Sequence, residues 1–386
     1  MKAPQHRLRT ANILAGALAL AVLASLSVLP AATPATAAGS CVSTPFVSNA
    51  KKRTWYRIPA VVKTDSAVVA FAERRDNDST RDRGNYDIVA RTSTDNGCHW
   101  GALVVVANDG RNHVSSPVPI WDAAHRSLLL FSSIRDTHDT YVGLFLQRSD
   151  GTGRRWSPLR AGKVARPQGW KGGLQGPGHG IVLQHGTHAG RIIFAMGYKL
   201  PSGRYGTYGL YSDDAGRTWQ IGYDRAAPGS SNLIEGTLAE LSDGRLLVSY
   251  RDKRKTKPGT NRFAAVSVDG GRSISAYRAM PGIRTMAVEG ALLQLTGPSA
   301  ALLFSGPSFI KTGDLTIRRD MTIFISTDAG AHWHKGPLIG HKRGLPAAYS
   351  DLVQLDPSTV GIAYETGKKK WRERIDFVQV PLSSLR

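Results

Sequence analysis

A turn sequence, Ser-x-Asp-x-Gly-x-x-Trp in its fullest form, recurs five times along this chain. The copies are Ser93–Trp100, Ser149–Trp156, Ser212–Trp219, Ser267–Ile274 and Ser326–Trp333. The second copy has its Asp displaced by one position, and the fourth has Ile in the place of Trp. The starting serines lie 55 to 63 residues apart, which suits one four-stranded propeller blade with its loops. Repetition at this period therefore predicts a β-propeller.

Each of these boxes is expected to be a structural turn between two strands. The Asp carboxylate accepts backbone N–H groups, the Gly adopts a positive φ, and the Trp packs beneath a neighbouring strand. A calcium loop needs more closely spaced oxygen ligands than one Asp per turn. The box aspartates are therefore predicted to be neither metal ligands nor catalytic groups.

Short strands of alternating polarity surround the boxes, and turn pairs such as Asp243-Gly244 punctuate them. No segment has a long helical period. Five marked turns with unmarked chain on both sides predict an all-β, six-bladed β-propeller of four-stranded antiparallel blades. The hairpin formed by Val360–Tyr364 and Arg374–Val380 is expected to close the ring beside N-terminal strand material.

The N-terminal segment has the pattern of a secretory signal peptide, predicted to span residues 1–37. Basic residues precede an apolar run from Ile13 to Val28, and Ala35-Thr36-Ala37 fits a cleavage site. The run is short for a membrane span, which needs about 20 apolar residues, although an uncleaved anchor is the alternative. We therefore expect a secreted protein whose residues 38–386 form a single propeller domain, with no membrane insertion.

The chain carries a formal net charge of +21, which favours contact with anionic glycans, nucleic acids or membrane surfaces. Its basic residues are dispersed and no aromatic-interleaved nucleic-acid motif is present, so nucleic-acid binding is not expected. The two cysteines, Cys41 and Cys98, make no zinc motif. In an oxidising compartment they either form one disulfide or remain two free thiols.

Residues far apart in a propeller sequence meet where the inner strands converge on the central axis. Four short segments combine charged or phenolic side chains, whose burial there is unfavourable unless they have polar partners. They are Arg57 within Trp55–Ala60, the acidic stretch Asp76–Asp87, Glu235 with Arg251, and Arg318 or Arg319 with Tyr349.

In order along the chain, these segments resemble motifs of the exo-α-sialidases of bacterial and animal type, which have six-bladed propellers. The motifs are Tyr56-Arg57-Ile58-Pro59, the boxes, Glu235-x4-Glu240-Leu241 before a strand ending in Arg251, Arg318-x-x-Met321-Thr322, and Ala348-Tyr349-Ser350-Asp351-Leu352. The resemblance covers essentially the whole chain after the signal segment. Each motif alone is weak, whereas the ordered set is specific.

The resemblance implies that three arginines, Arg57, Arg251 and Arg318, clamp the carboxylate of a sialic acid. A planar guanidinium matches a carboxylate in charge and in fork geometry. Arg318 is preferred to Arg319 because it stands eight residues before the box serine Ser326. Arg319 is expected to point to the opposite face of a strand.

The resemblance also implies Tyr349 as the nucleophile, because sialidases are the glycosidases that use a tyrosine in place of a carboxylate. Glu235 is the implied base that takes the phenolic proton. Asp82 is the implied acid/base, in Asp82-Arg83-Gly84-Asn85. Asn85 departs from the acidic residue usual in that pattern, and Asp76 and Asp78 are competing candidates.

Two further residues match family positions: Glu365 is the implied brace of Arg57, and Arg75 is an implied substrate-binding arginine. The predicted function is therefore a secreted, retaining exo-α-sialidase that needs no cofactor or metal and acts as a monomer on sialylated glycoconjugates. Alternatives in the same class prefer a deaminated nonulosonic acid or transfer the sugar to an acceptor. A carbohydrate-binding propeller without turnover is the alternative from a different class.

Overall fold

The computed structural model describes Met1 and residues 41–76, 84–161, 169–170, 173–253, 261–280, 282–297, 300–309, 317–340 and 343–385. These residues form 25 strands and two short 3-10 helices, Gly186–His188 and Leu382–Leu385. The first strands are β1 (Val42–Val47), β2 (Thr54–Lys63), β3 (Val68–Asp76), β4 (Tyr86–Ser93), β5 (Val104–Ala107), β6 (His113–Asp122), β7 (Ser127–Arg135), β8 (Tyr141–Ser149), β9 (Arg160–Ala161), β10 (Gly173–Gln175), β11 (Ile181–Val182) and β12 (Ile192–Lys199). The remaining strands are β13 (Tyr205–Ser212), β14 (Gln220–Ala226), β15 (Leu233–Glu240), β16 (Leu246–Asp252), β17 (Arg262–Ser267), β18 (Arg278–Ala279), β19 (Leu292–Gln294), β20 (Leu302–Pro307), β21 (Met321–Ser326), β22 (His334–Leu338), β23 (Ala347–Asp356), β24 (Thr359–Thr366) and β25 (Arg374–Pro381).

These strands confirm an all-β propeller built of four-stranded antiparallel blades, but the described residues do not form six separate sheets. Strands β15–β18, β19–β22 and β23–β25 with β1 form three four-stranded sheets. Strands β10–β14 form a five-stranded sheet, and β2–β9 form an eight-stranded one. The eight-stranded sheet joins β4 to β6 through one parallel pair, Tyr86 with His113. The expectation of six separate four-stranded sheets is thus corrected to five hydrogen-bonded sheets in the described residues, the largest of which joins two four-stranded groups.

The last sheet closes on the N-terminal part of the described chain. Strand β1 pairs antiparallel with β25, with Val42 opposite Val378 and Val47 opposite Arg374. This pairing confirms the prediction that the C-terminal hairpin lies beside N-terminal strand material.

The box turns hold themselves together through local hydrogen bonds, as the box at Ser212 illustrates. The Gly216 N–H donates to Ser212 Oγ at 2.8 Å, and the Thr218 N–H donates to Asp214 Oδ1 at 2.8 Å. Gly216 has a φ of 76°, a conformation that favours glycine. The Asp is therefore engaged in building the turn.

The tryptophans of the boxes help to seal neighbouring sheets against each other. Trp219 is 6% exposed and packs edge-on against Phe131 of β7, with ring centroids 4.6 Å apart. The same cluster contains buried aliphatic side chains of β6 and β12. Because a buried aromatic removes a large apolar area from water, each such contact fixes one sheet relative to the next.

Cys41 and Cys98 form a disulfide, with their Cα atoms 5.7 Å apart. Of the two alternatives that the sequence left open, the structure therefore has the disulfide. It connects the start of β1 to the first box turn, across 57 residues of sequence.

Replacing both cysteines by serine is expected to lower the free energy of unfolding by about 2–5 kcal/mol, because the unfolded chain regains the entropy of an open loop. Urea unfolding of the oxidised protein and of the double variant measures this difference. A loss of less than about 1 kcal/mol would show that the ring holds its N-terminal strand without the bond.

Within the described part of the chain, no helix combines the length and the apolar character that crossing a bilayer requires. Nor do the described residues include a group of three or more His, Cys, Asp or Glu side chains arranged to hold a metal ion.

Candidate active site

Residues from four inner strands converge on one pocket because each strand has a break in its register there. The breaks occur in β2, β6, β15 and β23. Ile58, Ser116, Glu235 and Tyr349 lie at these breaks and line a pocket of about 440 Å³. Ile58, Ser116 and Glu235 have φ values of 57°, 58° and 50°, which L-residues seldom adopt. A bulge of this kind redirects side chains, here into the pocket.

Arg57 is held by Glu365, the partner that the resemblance implies. Its Nε donates to Glu365 Oε1 at 2.7 Å and its Nη2 donates to Oε2 at 3.4 Å. Both side chains are buried. Glu365 also accepts the N–H of Ile58 at 2.9 Å and that of Tyr349 at 3.3 Å. One carboxylate therefore fixes an arginine and two bulged strands together.

Glu235, Arg251 and Tyr349 form a hydrogen-bonded triangle. The Tyr349 hydroxyl donates to Glu235 Oε1, and Arg251 Nη1 donates to Glu235 Oε2. Arg251 Nη1 also donates to Tyr349 Oη at 3.1 Å. The phenolic oxygen thus has a carboxylate placed to accept its proton and a guanidinium placed to stabilise its anion.

Arg318 approaches the same group, although it precedes β21 instead of opening it. The charge of Arg318 acts on both Tyr349 and Glu235, and its Cζ lies 5.5 Å from the ring centroid of Trp371. Arg319 is exposed and donates to the Gly344 carbonyl at 2.9 Å. The preference for Arg318 agrees with this placement. Both arginines precede β21, so the prediction that Arg319 points to the opposite face of a strand is wrong.

Trp371 was not singled out from the sequence. The Cζ of Arg57 lies 4.3 Å from its ring centroid, closer than the 5.5 Å of Arg318. A tryptophan face attracts cations, and a partly buried contact of this type contributes about 1 kcal/mol. The ring therefore holds two guanidinium groups near each other despite their like charge. No motif flags it, because it lies in a loop that follows β24.

The pKa values of Tyr349 and Glu235 move in opposite directions. Burial, followed by the charge of Glu235, raises the pKa of Tyr349 well above 10, although Arg251, Arg318 and Arg57 oppose this. Burial also raises the pKa of Glu235, but the charge of Arg251 and the hydrogen bonds from Tyr349 and Arg251 bring it below its ordinary value. The resting site therefore contains a neutral phenol beside an ionised carboxylate, the pairing that base-assisted attack requires.

Activity that depends on ionised Glu235 is expected to persist as the pH falls below 4.5. The reason is the sign of the shift: a lowered pKa keeps the carboxylate ionised in more acid solution than usual. The measurement is kcat/KM against pH, repeated at high salt, which screens exposed charges much more than buried ones. An acid limb centred well above pH 4.5 at both salt concentrations would contradict the assignment.

Arg75 lies on another wall of the pocket, beside Glu73. Its Nε donates to Glu73 Oε2 at 2.7 Å, and its Cζ lies 4.4 Å from the ring centroid of Tyr86. Asp82, the predicted acid/base, falls outside the described residues, as does Asp78. The competing Asp76 lies at the end of β3, where it accepts a hydrogen bond from Thr54 Oγ1 at 3.3 Å.

Other buried polar groups behind the site were not predicted to act there. Glu289 accepts the N–H of Ser350, the residue after the phenol, at 3.2 Å. His179 Nδ1 and Asp351 Oδ1 are 2.7 Å apart, and Asp351 also accepts the Val61 N–H at 2.8 Å. These contacts brace the inner strands. The motif around Tyr349 included Asp351, but nothing in the sequence marked Glu289.

A family model described as a BNR repeat-like domain matches residues 67–362. A sialidase of Micromonospora viridifaciens is 29% identical over 345 residues, covering 81% of this chain and 50% of that protein. An exo-α-sialidase of Aspergillus fumigatus is 28% identical over 362 residues, an alignment that covers 82% of this chain and 82% of that protein. The solved structure of the Hadza microbial sialidase Hz136 has a TM-score of 0.76 and 25% identity, covering 89% of this chain and 69% of that one.

This chain thus spans about half the length of the Micromonospora relative. The region that the family model matches nevertheless contains all five boxes, together with Glu235, Arg251 and Tyr349. The chain therefore belongs to the BNR repeat-like domain family, and the resemblance of its sequence to the exo-α-sialidases is confirmed.

Proposed function

We propose that this protein is a retaining exo-α-sialidase, which hydrolyses terminal α-linked sialic acid from glycoconjugates. The observation that carries the proposal is the hydrogen-bonded triangle of Glu235, Arg251 and Tyr349. Beside it, the Cζ of Arg57 lies 5.5 Å from the ring centroid of Tyr349, and the charge of Arg318 acts on the same phenol. Three guanidinium groups around a phenol suit a substrate that has a carboxylate on its reacting carbon. A carboxylate nucleophile would be repelled by that substrate, whereas a neutral phenol is not.

In the first step, Tyr349 Oη bonds to the anomeric carbon while its proton passes to Glu235 Oε1. The glycosidic C–O bond breaks, and the departing oxygen takes a proton from Asp82, our candidate acid. Arg57, Arg251 and Arg318 bind the substrate carboxylate, and Arg251 also stabilises the negative charge that develops on the phenolic oxygen.

In the second step, water attacks the anomeric carbon and gives its proton to Asp82. The bond between the sugar and Tyr349 breaks, and Glu235 returns its proton to the phenolic oxygen. Two displacements at one carbon restore the original configuration. The released sugar should therefore first appear as the α-anomer, which NMR of the fresh reaction mixture detects.

The proposal also includes the organisation of the chain and its location. Residues 1–37 act as a secretory signal, and residues 38–386 form one catalytic domain that is secreted as a monomer and does not bind nucleic acid. The domain has six blades, because β2–β5 and β6–β9 are two four-stranded groups joined by one residue pair. Size-exclusion chromatography and N-terminal sequencing of the secreted protein test these statements.

Hydrolysis of a fluorogenic α-sialoside by the purified protein tests the function directly. Release of the fluorophore with free sialic acid as the product supports hydrolysis, whereas a sialylated product formed with added lactose identifies transfer. Faster turnover of the deaminated analogue would assign the other sugar. Binding of the sialosides without turnover would replace the enzyme with a carbohydrate-binding propeller, and neither binding nor turnover would refute both.

A further inference from the structure

The contact between Glu365 and β2 has an equivalent one blade further along the chain. Glu365 lies on β24 and accepts the N–H of Ile58, which is at the bulge of β2. Glu73 lies on β3 and its Oε1 accepts the N–H of Ser116, at the bulge of β6, at 2.8 Å. Ile58 and Ser116 have nearly the same φ, 57° and 58°. In both places a buried carboxylate from the second strand of one group holds the bulge of the next inner strand.

The two carboxylates also hold an arginine each. Glu365 binds Arg57 of the neighbouring inner strand. The position in β6 that corresponds to Arg57 is Ser115, which offers no guanidinium. Glu73 instead binds Arg75 of its own strand, which donates to Oε2. The exposed fractions of the Glu73 and Arg75 side chains are 2% and 4%. Burial of a charged pair is costly unless its hydrogen bonds are well formed, so the geometry of Arg75 depends on Glu73.

The ring of Tyr86 fixes the guanidinium of Arg75 from another side, at 4.4 Å. Glu73, Arg75 and Ser116 line the same pocket as Glu235 and Tyr349. In the pairing of β2 with β3, Glu73 stands opposite Arg57, so this wall adjoins the arginines proposed to bind the substrate carboxylate. It is therefore placed to contact the remainder of the sugar, whose hydroxyl and amide groups are good partners for a guanidinium.

We propose that Glu73 is a positioning residue, which orients Arg75 and the β6 bulge so that this wall binds the polar substituents of the sugar. The inference rests on the proposed sialidase function. It assigns Glu73 to substrate binding and not to the bond-breaking steps, because Glu235 and Tyr349 make their contacts with each other and with Arg251. Loss of Glu73 should consequently weaken ground-state and transition-state binding alike.

The test compares Glu73→Gln and Glu73→Asp with the control Glu240→Gln. Glu240 also accepts backbone N–H groups, those of Gln184 at 2.6 Å and His185 at 3.0 Å, and does not line the pocket. Steady-state kinetics on the fluorogenic sialoside and thermal unfolding are measured for each. We expect Glu73→Gln to raise KM about tenfold with kcat within about twofold, and Glu73→Asp, which keeps the charge, to lie closer to the unaltered protein.

Glu240→Gln should leave both constants within about twofold. An unchanged KM in folded Glu73→Gln, or a fall in kcat larger than the rise in KM, would overturn the inference. If Glu73→Gln does not fold, Glu73→Asp decides with a smaller expected effect: a KM raised about threefold with kcat within about twofold supports the inference, and any other result overturns it. If the unaltered protein does not hydrolyse the substrate, the proposed function fails separately from this inference. Calorimetric Kd values for the sialoside then test the role of Glu73. The inference is overturned if Glu73→Gln binds the sialoside as tightly as the unaltered protein, or if neither protein binds it.

Discussion

Tyr349→Phe is expected to lower kcat on a fluorogenic sialoside by about a thousandfold or more, because it removes the oxygen that bonds to the anomeric carbon. The loss should greatly exceed any change in substrate binding, since Arg57, Arg251 and Arg318 remain. The free energy of unfolding should change by about 1 kcal/mol, the worth of the lost hydrogen bond.

Tyr364→Phe is the matched control for this variant. Tyr364 is 4% exposed and lies on β24 of the same sheet, so the substitution also removes one hydroxyl from a buried tyrosine. Its kcat should stay within about twofold of the unaltered protein, as for changes remote from reacting groups. Full activity in Tyr349→Phe, or equal losses in both variants, would exclude Tyr349 as the nucleophile.

Arg251→Met is expected to lower kcat/KM by about a thousandfold and to destabilise the fold by about 3 kcal/mol. Arg251 donates to both Glu235 and Tyr349, so its removal leaves a largely buried carboxylate without its cationic partner. The pKa of Glu235 should rise, because the charge of Arg251 is the strongest influence that lowers it. Kinetics and urea unfolding at neutral pH measure the two effects.

Arg191→Met separates the loss of a buried arginine from the loss of function. Arg191 is 2% exposed and binds Asp213 through two hydrogen bonds, of 2.7 and 2.9 Å. This variant should lose stability and keep its kcat/KM within about twofold while folded. If Arg251→Met retained its activity, the proposed clamp of three arginines would be wrong.

The sequence could predict the propeller and much of the site because short motifs carry them. The boxes recur at blade spacing, and Arg57, Glu235, Arg251 and Tyr349 each stand in a recognisable local context. The structure brings these four residues together: Arg57, Glu235 and Tyr349 lie at bulges of inner strands, and Arg251 reaches Glu235 and Tyr349 from β16.

Contacts made through backbone N–H groups could not be predicted in this way. Glu73 holds Ser116 across 43 residues and Glu289 holds Ser350 across 61, and every residue type except proline can offer an N–H. Trp371 acts through its ring face, which depends on where a loop folds back. The merging of two strand groups into one sheet likewise depends on a single pair, Tyr86 and His113.

The proposed mechanism requires that a sialyl group bonds to Tyr349 during turnover. A sialic acid fluoride with a second fluorine at C3 tests it most directly, because the electron-withdrawing substituent slows breakdown of the intermediate and allows it to accumulate. Mass spectrometry of the intact protein and of its peptides should then find one added sugar, on Tyr349, and no adduct on Tyr349→Phe. Inactivation with the sugar on another residue, or sustained turnover with no adduct at any time, would contradict the proposal.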